Sequence, residues 1–124
     1  MTKNSTSYER SSYEKFSAIV EEVALGIWKA IKDARGSCVS FTPRRIVEYA
    51  GEKGNIKPIK LTLVKYILEE LAKKGILEKS DKHYRICKYI GDPSNEETKN
   101  PLWELCKSVD TPEKVINLLK QLVE

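Results

Sequence analysis

From Phe16 onward, apolar residues recur at every third or fourth position. Phe16, Ile19, Val20, Val23, Ile27 and Ile31 form one stripe, and Glu14, Lys15, Glu21, Glu22, Lys29 and Lys32 fall between them. That period predicts an amphipathic helix over residues 13–34, ended by Arg35-Gly36, with Gly36 suited to a left-handed cap. Residues 1–12 are polar and rich in Ser and Thr, and are expected to form a disordered tail. Residues 37–41 read as a short strand. Thr42-Pro43 then opens a second helix over residues 43–50. Thr42 can cap with its hydroxyl, and Pro43 fits a first-turn position whose N–H has no intrahelical partner. Ile46, Val47 and Ala50 supply the inward face.

After a turn at residues 51–55, a third helix is predicted over residues 58–74. Val64, Ile67, Leu68 and Leu71 are its buried stripe, Leu63 lies at the margin, and Gly75 ends it. The apolar period then changes to two. Residues 76–79 read as a strand, residues 80–82 as a turn and residues 83–87 as the return strand. Tyr84 and Ile86 share one face, and His83, Arg85 and Cys87 the other. Residues 91–100 read as a loop and residues 101–108 as a short helix. Thr111-Pro112-Glu113 starts a last helix, with Val115, Leu118, Leu119 and Leu122 as its stripe. The expected fold class is mostly α with a small β-hairpin (α+β). Its domain covers residues 13–90, and a helical extension covers residues 101–124.

The formal charge of +4 is too small to identify a partner, but its distribution is uneven. Residues 36–90 carry 12 Lys/Arg against 6 Asp/Glu, whereas residues 91–124 carry 4 against 7. A positive excess confined to one segment points to a polyanion, although a solvated lysine-rich surface gives the same counts. No run approaches the ~18–20 apolar residues of a membrane span, and no secretory leader opens the chain, so a cytoplasmic protein is expected. Cys38, Cys87 and Cys106 include no CxxC pair and His83 is the single histidine, so neither a zinc site nor another cofactor is expected. His83 has no obvious Ser or Cys nucleophile partner. The phosphate-loop, dinucleotide and metalloprotease motifs are absent, so no enzyme is expected.

The order helix, short strand, helix, helix, strand, turn, strand resembles the winged helix-turn-helix family, specifically the small transcriptional regulators of archaea and bacteria. The resemblance spans residues 13–90. Its most specific piece is Leu68-x-x-Leu71-x-x-x-Gly75-Ile76-Leu77 followed by a basic hairpin. In the family this is the end of the recognition helix running into the wing. The resemblance implies double-stranded DNA binding by a transcriptional regulator or a chromatin-associated, nucleoid-located factor. One departure is the connection from Ala50 to Pro58, longer than the tight turn of an ordinary helix-turn-helix.

On that reading the third helix lies in a major groove about 12 Å wide and presents Lys57, Lys60, Thr62, Lys65 and Tyr66, with Thr62 and Tyr66 nearest the bases. The wing presents Lys79, Lys82, His83 and Arg85, and the start of the second helix adds Arg44 and Arg45 as phosphate anchors. The competing reading of Lys79 and Lys82 is turn solubility, and that of the second helix's arginines an ion pair with a nearby glutamate such as Glu48. Lysine binds phosphate as a point charge and reads bases poorly, so contacts should be mainly to the backbone. Ile59 and Leu61 have three roles open to them: packing inward, touching thymine methyls or docking a protein. The last belongs to an alternative function, a winged-helix protein-interaction module serving transcription or replication machinery. Binding of double-stranded RNA or tRNA by the same face is a third. The tyrosines do not gather on one sheet face, which disfavours single-strand stacking. Trp28 and Trp103 read as core or interface anchors.

In winged helices the first strand commonly pairs beside the last wing strand, which would bring Cys38 and Cys87 close; a disulfide is then open to them, beside the default reading of buried free thiols. The family's flanking helices also imply a homodimer through Val115, Leu118, Leu119 and Leu122. The competing reading is that this last helix covers the first helix of its own chain.

Overall fold

The structure, a computed structural model, describes residues 2–90 and 98–123, with side chains from residue 15 onward. It is mostly helical with small antiparallel sheets. The first helix, α1 (Thr2–Asp33), is followed by β1 (Cys38–Phe41), α2 (Pro43–Tyr49) and α3 (Pro58–Lys73). Then come β2 (Glu78–Ser80), β3 (His83–Cys87), β4 (Tyr89–Ile90), β5 (Thr98–Lys99), α4 (Pro101–Ser108) and α5 (Glu113–Val123). No described helix is long and apolar enough to cross a membrane.

Local chemistry explains most of the boundaries. The Thr42 hydroxyl accepts the Arg45 N–H at 3.2 Å and Pro43 occupies the first turn of α2. Gly75 takes φ +79°, a left-handed conformation that costs glycine little, and closes α3 with Gly75 N–H to Ala72 O and Ile76 N–H to Leu71 O, both 3.0 Å. Gly36 is different. It lies outside the left-handed region, and α1 ends at Asp33 with the Ala34 N–H bonded to Ile31 O at 3.1 Å. The helix also begins at Thr2, where a disordered tail was expected through residue 12. No Gly or Pro in that stretch interrupts it.

The strands pair in the order β1-β3-β2, with Ser40 opposite Arg85, Glu78 opposite Arg85 and Ser80 opposite His83. The β2–β3 turn is Asp81-Lys82, with Asp81 at φ 48°. Cys38 faces Cys87 across β1 and β3, and the two form a disulfide. The loop expected over residues 91–100 lies partly outside the described residues. Its end is ordered instead, with Thr98–Lys99 pairing against Tyr89–Ile90. Asn100 is buried, caps α4 by accepting the Leu102 and Trp103 N–H groups, and donates to Ile76 O at 2.9 Å.

One core joins α1, α2, α3, the sheet, α4 and α5. Val20, Val23, Ile27 and Ile31 of α1 meet Ile46, Val64, Ile67, Leu68 and Leu71, with Tyr84 and Ile86 from the sheet. The α5 stripe expected at a dimer interface does not lie wholly at the surface. Val115 and Leu119 are fully buried against the chain's own core, and Leu118 and Leu122 pack at its edge. The stripe of α5 is taken up by α1, because a loose amphipathic helix loses apolar contact that its own neighbour can supply.

Candidate nucleic-acid interface

Eight cations were expected to face a polyanion, and the structure divides them. Arg44, Lys57, Lys65 and Lys82 are exposed and form no ion pair among the described residues. The other four are engaged. Arg45 reaches Glu48 at 3.4 Å and stacks over the Tyr49 ring. Lys60 reaches Glu22 at 2.9 Å and Glu52 at 3.2 Å. Lys79 meets Glu69, and Arg85 meets Glu78, its partner across the β2–β3 ladder.

These pairs differ in strength. Arg85 and Glu78 are both more than half exposed, so their bond is weak and exchangeable. The Lys60 side chain is 22% exposed and bridges α1 to the connection before α3. Burial works against its charge, but Glu22 and Glu52 outweigh burial and hold its pKa above the ordinary lysine value. Lys60 is therefore a tie between elements and is unavailable for phosphate. Lys79 holds the Glu69 carboxyl below its usual range.

Three of the unpaired cations converge. Arg44 at the start of α2, Lys65 in the middle of α3 and Lys82 in the β2–β3 turn line one groove of about 360 Å³, together with Pro43, Leu61 and Thr62. A second cavity of about 220 Å³ continues it toward the hairpin and shares Pro43, Lys65 and Lys82. Lys57 caps the N-terminal end of α3 without a side-chain cap bond of its own. Thr62 is exposed, but its hydroxyl donates to Pro58 O at 3.0 Å and must leave that bond to meet a base. Tyr66 stands edge-on to Phe16, with ring centroids 6.2 Å apart, and Glu70 raises its pKa. That places it on the α1 side of α3, away from the groove residues. His83 lies on the exposed face of β3 near Arg85 and Ser40.

Of the two apolar residues with open roles, Ile59 is 66% exposed, so it does not pack inward. Leu61 is half-buried in the groove itself. No protein family, curated protein or solved structure matches this chain. The groove must therefore be judged on its own chemistry. Among the described residues, no cluster of His, Cys, Asp or Glu could hold a metal ion. Cys106 is buried, and burial pushes its thiol up to about 12, so it is a poor nucleophile. What remains is a surface of fixed positive charge around a shallow apolar floor.

Sequence reasoning did not anticipate the capture of Lys60, because Glu22 is remote in sequence and nothing local signals it.

Proposed function

We propose that the chain is a winged-helix protein that binds double-stranded DNA through the groove between α3 and the β2–β3 hairpin, as a transcriptional regulator or chromatin-associated factor at the nucleoid. The observation that carries this reading is the meeting of Arg44, Lys65 and Lys82, drawn from three separate elements, in one groove. Three unpaired cations on one concave surface repel one another, an arrangement that an anionic partner relieves. Lysine predominates, and the two uncharged polar groups beside it, Thr42 and Thr62, are both engaged with backbone, so backbone contacts outweigh base readout.

Anisotropy of a labelled duplex, read as a function of salt, tests this. If only the four unpaired cations meet phosphate, the slope of log K against log salt is about −3.6, at about −0.9 per phosphate. Engagement of all eight would double it. Lys65→Glu combined with Lys82→Glu should abolish binding at 50 mM salt. No duplex binding by the wild type at low salt, or unchanged binding by that double variant, refutes the proposal.

The second reading, a protein-interaction module, is favoured by Ile59, which stands 66% exposed on the first turn of α3. It predicts weak salt dependence and sensitivity to Ile59→Asp instead.

A further inference from the structure

The groove between α2, α3 and the hairpin turn has an apolar centre that phosphate binding does not explain. Leu61 and Pro43 line it among Arg44, Lys65 and Lys82. Leu61 is half-buried, yet it takes no place in the core that Val64, Ile67, Leu68 and Leu71 of the same helix fill. Its remaining surface opens into the groove. Phosphate oxygens answer to charge and hydrogen bonds, so a leucine among three cations adds nothing to their binding. We propose that Leu61, with Pro43 beside it, packs on the C5-methyl group of thymine and gives the groove a preference for thymine-bearing duplexes. The proposal rests on the DNA-binding reading and adds a base preference to it.

The chemistry singles out thymine. In the major groove guanine, adenine and cytosine are marked by hydrogen-bonding atoms, whereas thymine adds a methyl group beside its O4 acceptor. The uncharged polar side chains of the protein groove are engaged with backbone. Thr42 Oγ1 accepts the Arg45 N–H, and the Thr62 hydroxyl donates to Pro58 O. An apolar surface is therefore what the groove presents to a base without breaking a hydrogen bond of its own. Leu61 and Lys65 lie four residues apart on α3, so their side chains are neighbours on one face. The thymine methyl leans toward the sugar-phosphate chain of its own strand, so a lysine on phosphate and a leucine on methyl are engaged together. Ile59 is more exposed than Leu61 but does not line the groove.

The test compares labelled duplexes of one A·T-rich sequence made with thymine or with uracil, which lacks the methyl and keeps the same hydrogen-bonding edge and charge. Burial of one methyl predicts wild-type affinity about fourfold higher for the thymine duplex. No phosphate changes, so the salt slope is the same for both. A G·C duplex carrying 5-methylcytosine, whose methyl occupies the corresponding position, should likewise bind about fourfold tighter than its unmethylated form. Leu61→Ala in the full chain should bind the thymine and uracil duplexes alike with the wild-type salt slope, while Ile59→Ala keeps the discrimination. Equal wild-type affinity for thymine and uracil, or no gain from 5-methylcytosine, overturns the methyl contact whatever the variants do and leaves the DNA reading standing. Discrimination that survives in Leu61→Ala, or is lost in Ile59→Ala, overturns it as well. Failure of the wild type to bind any duplex overturns both.

Discussion

Gly26 sits where α1 crosses α2, and replacing it with alanine gives the sharpest test of how the fold is assembled. A Cβ built there would lie 2.3 Å from the Ile46 carbonyl oxygen and 2.8 Å from Ile46 Cγ2. Ordinary contact between such atoms is about 3.5 Å, so the two helices would have to part by about 1 Å. The nearest obstacle is backbone and cannot rotate aside. That same oxygen accepts the Ala50 N–H at 3.1 Å, so displacing it also disturbs the end of α2. Overpacking of this kind costs about 1–3 kcal/mol, and the upper part of that range applies where backbone must move. Alanine returns about 1 kcal/mol through helix propensity. A net loss of about 2 kcal/mol remains, or about 8 °C in melting temperature at about 4 °C per kcal/mol. Gly36→Ala is the control, because a Cβ there meets nothing within 4 Å and its φ is not left-handed. Thermal unfolding followed by circular dichroism measures both. A Gly26→Ala protein that melts with or above the wild type would refute the close-crossing argument.

Three further outcomes follow from the same structure. The disulfide closes a sequence separation of 49 residues, so Cys38→Ser should lower unfolding free energy by about 4 kcal/mol, and a urea midpoint indifferent to reductant would count against it. Leu119→Ala should cost about 2–5 kcal/mol in urea unfolding without altering oligomeric mass, whereas a change in mass at constant stability would restore the dimer reading of α5. The Cys106 thiol, raised from 9.0 to about 12 by burial, should resist alkylation at pH 8 until the protein unfolds. The native state keeps a proton there that the unfolded chain releases, so this group's contribution to stability declines as pH rises from about 9 through 12. Rapid labelling of the folded protein would contradict it.

The helices and hairpin were legible because their causes are local. The Phe16 to Ile31 stripe, the Thr42-Pro43 start and the Gly75 stop each act within one or two turns of chain. The strands β4 and β5 were not legible, since Tyr89–Ile90 and Thr98–Lys99 are too short to show alternation. The stripe of α5 announces that something covers it, but Val115 and Leu119 contain no information on whether the cover is α1 or another copy. The groove shows the same limit. Its lysines can be counted in the sequence, yet which of them keep their charge free depends on carboxylates such as Glu22, Glu52 and Glu69 that tertiary packing brings near.

The Cys38–Cys87 bond makes everything between those residues a closed ring of main chain, and α2, α3 and the hairpin all lie inside it. A protease that cuts once within the ring, for instance in the connection between α2 and α3, opens it without freeing a piece. The cut molecule keeps its mass on a non-reducing gel and separates into two bands only when a thiol is added. Oxidised protein can therefore suffer a scission in its cationic segment and still hold both severed ends on one covalent frame.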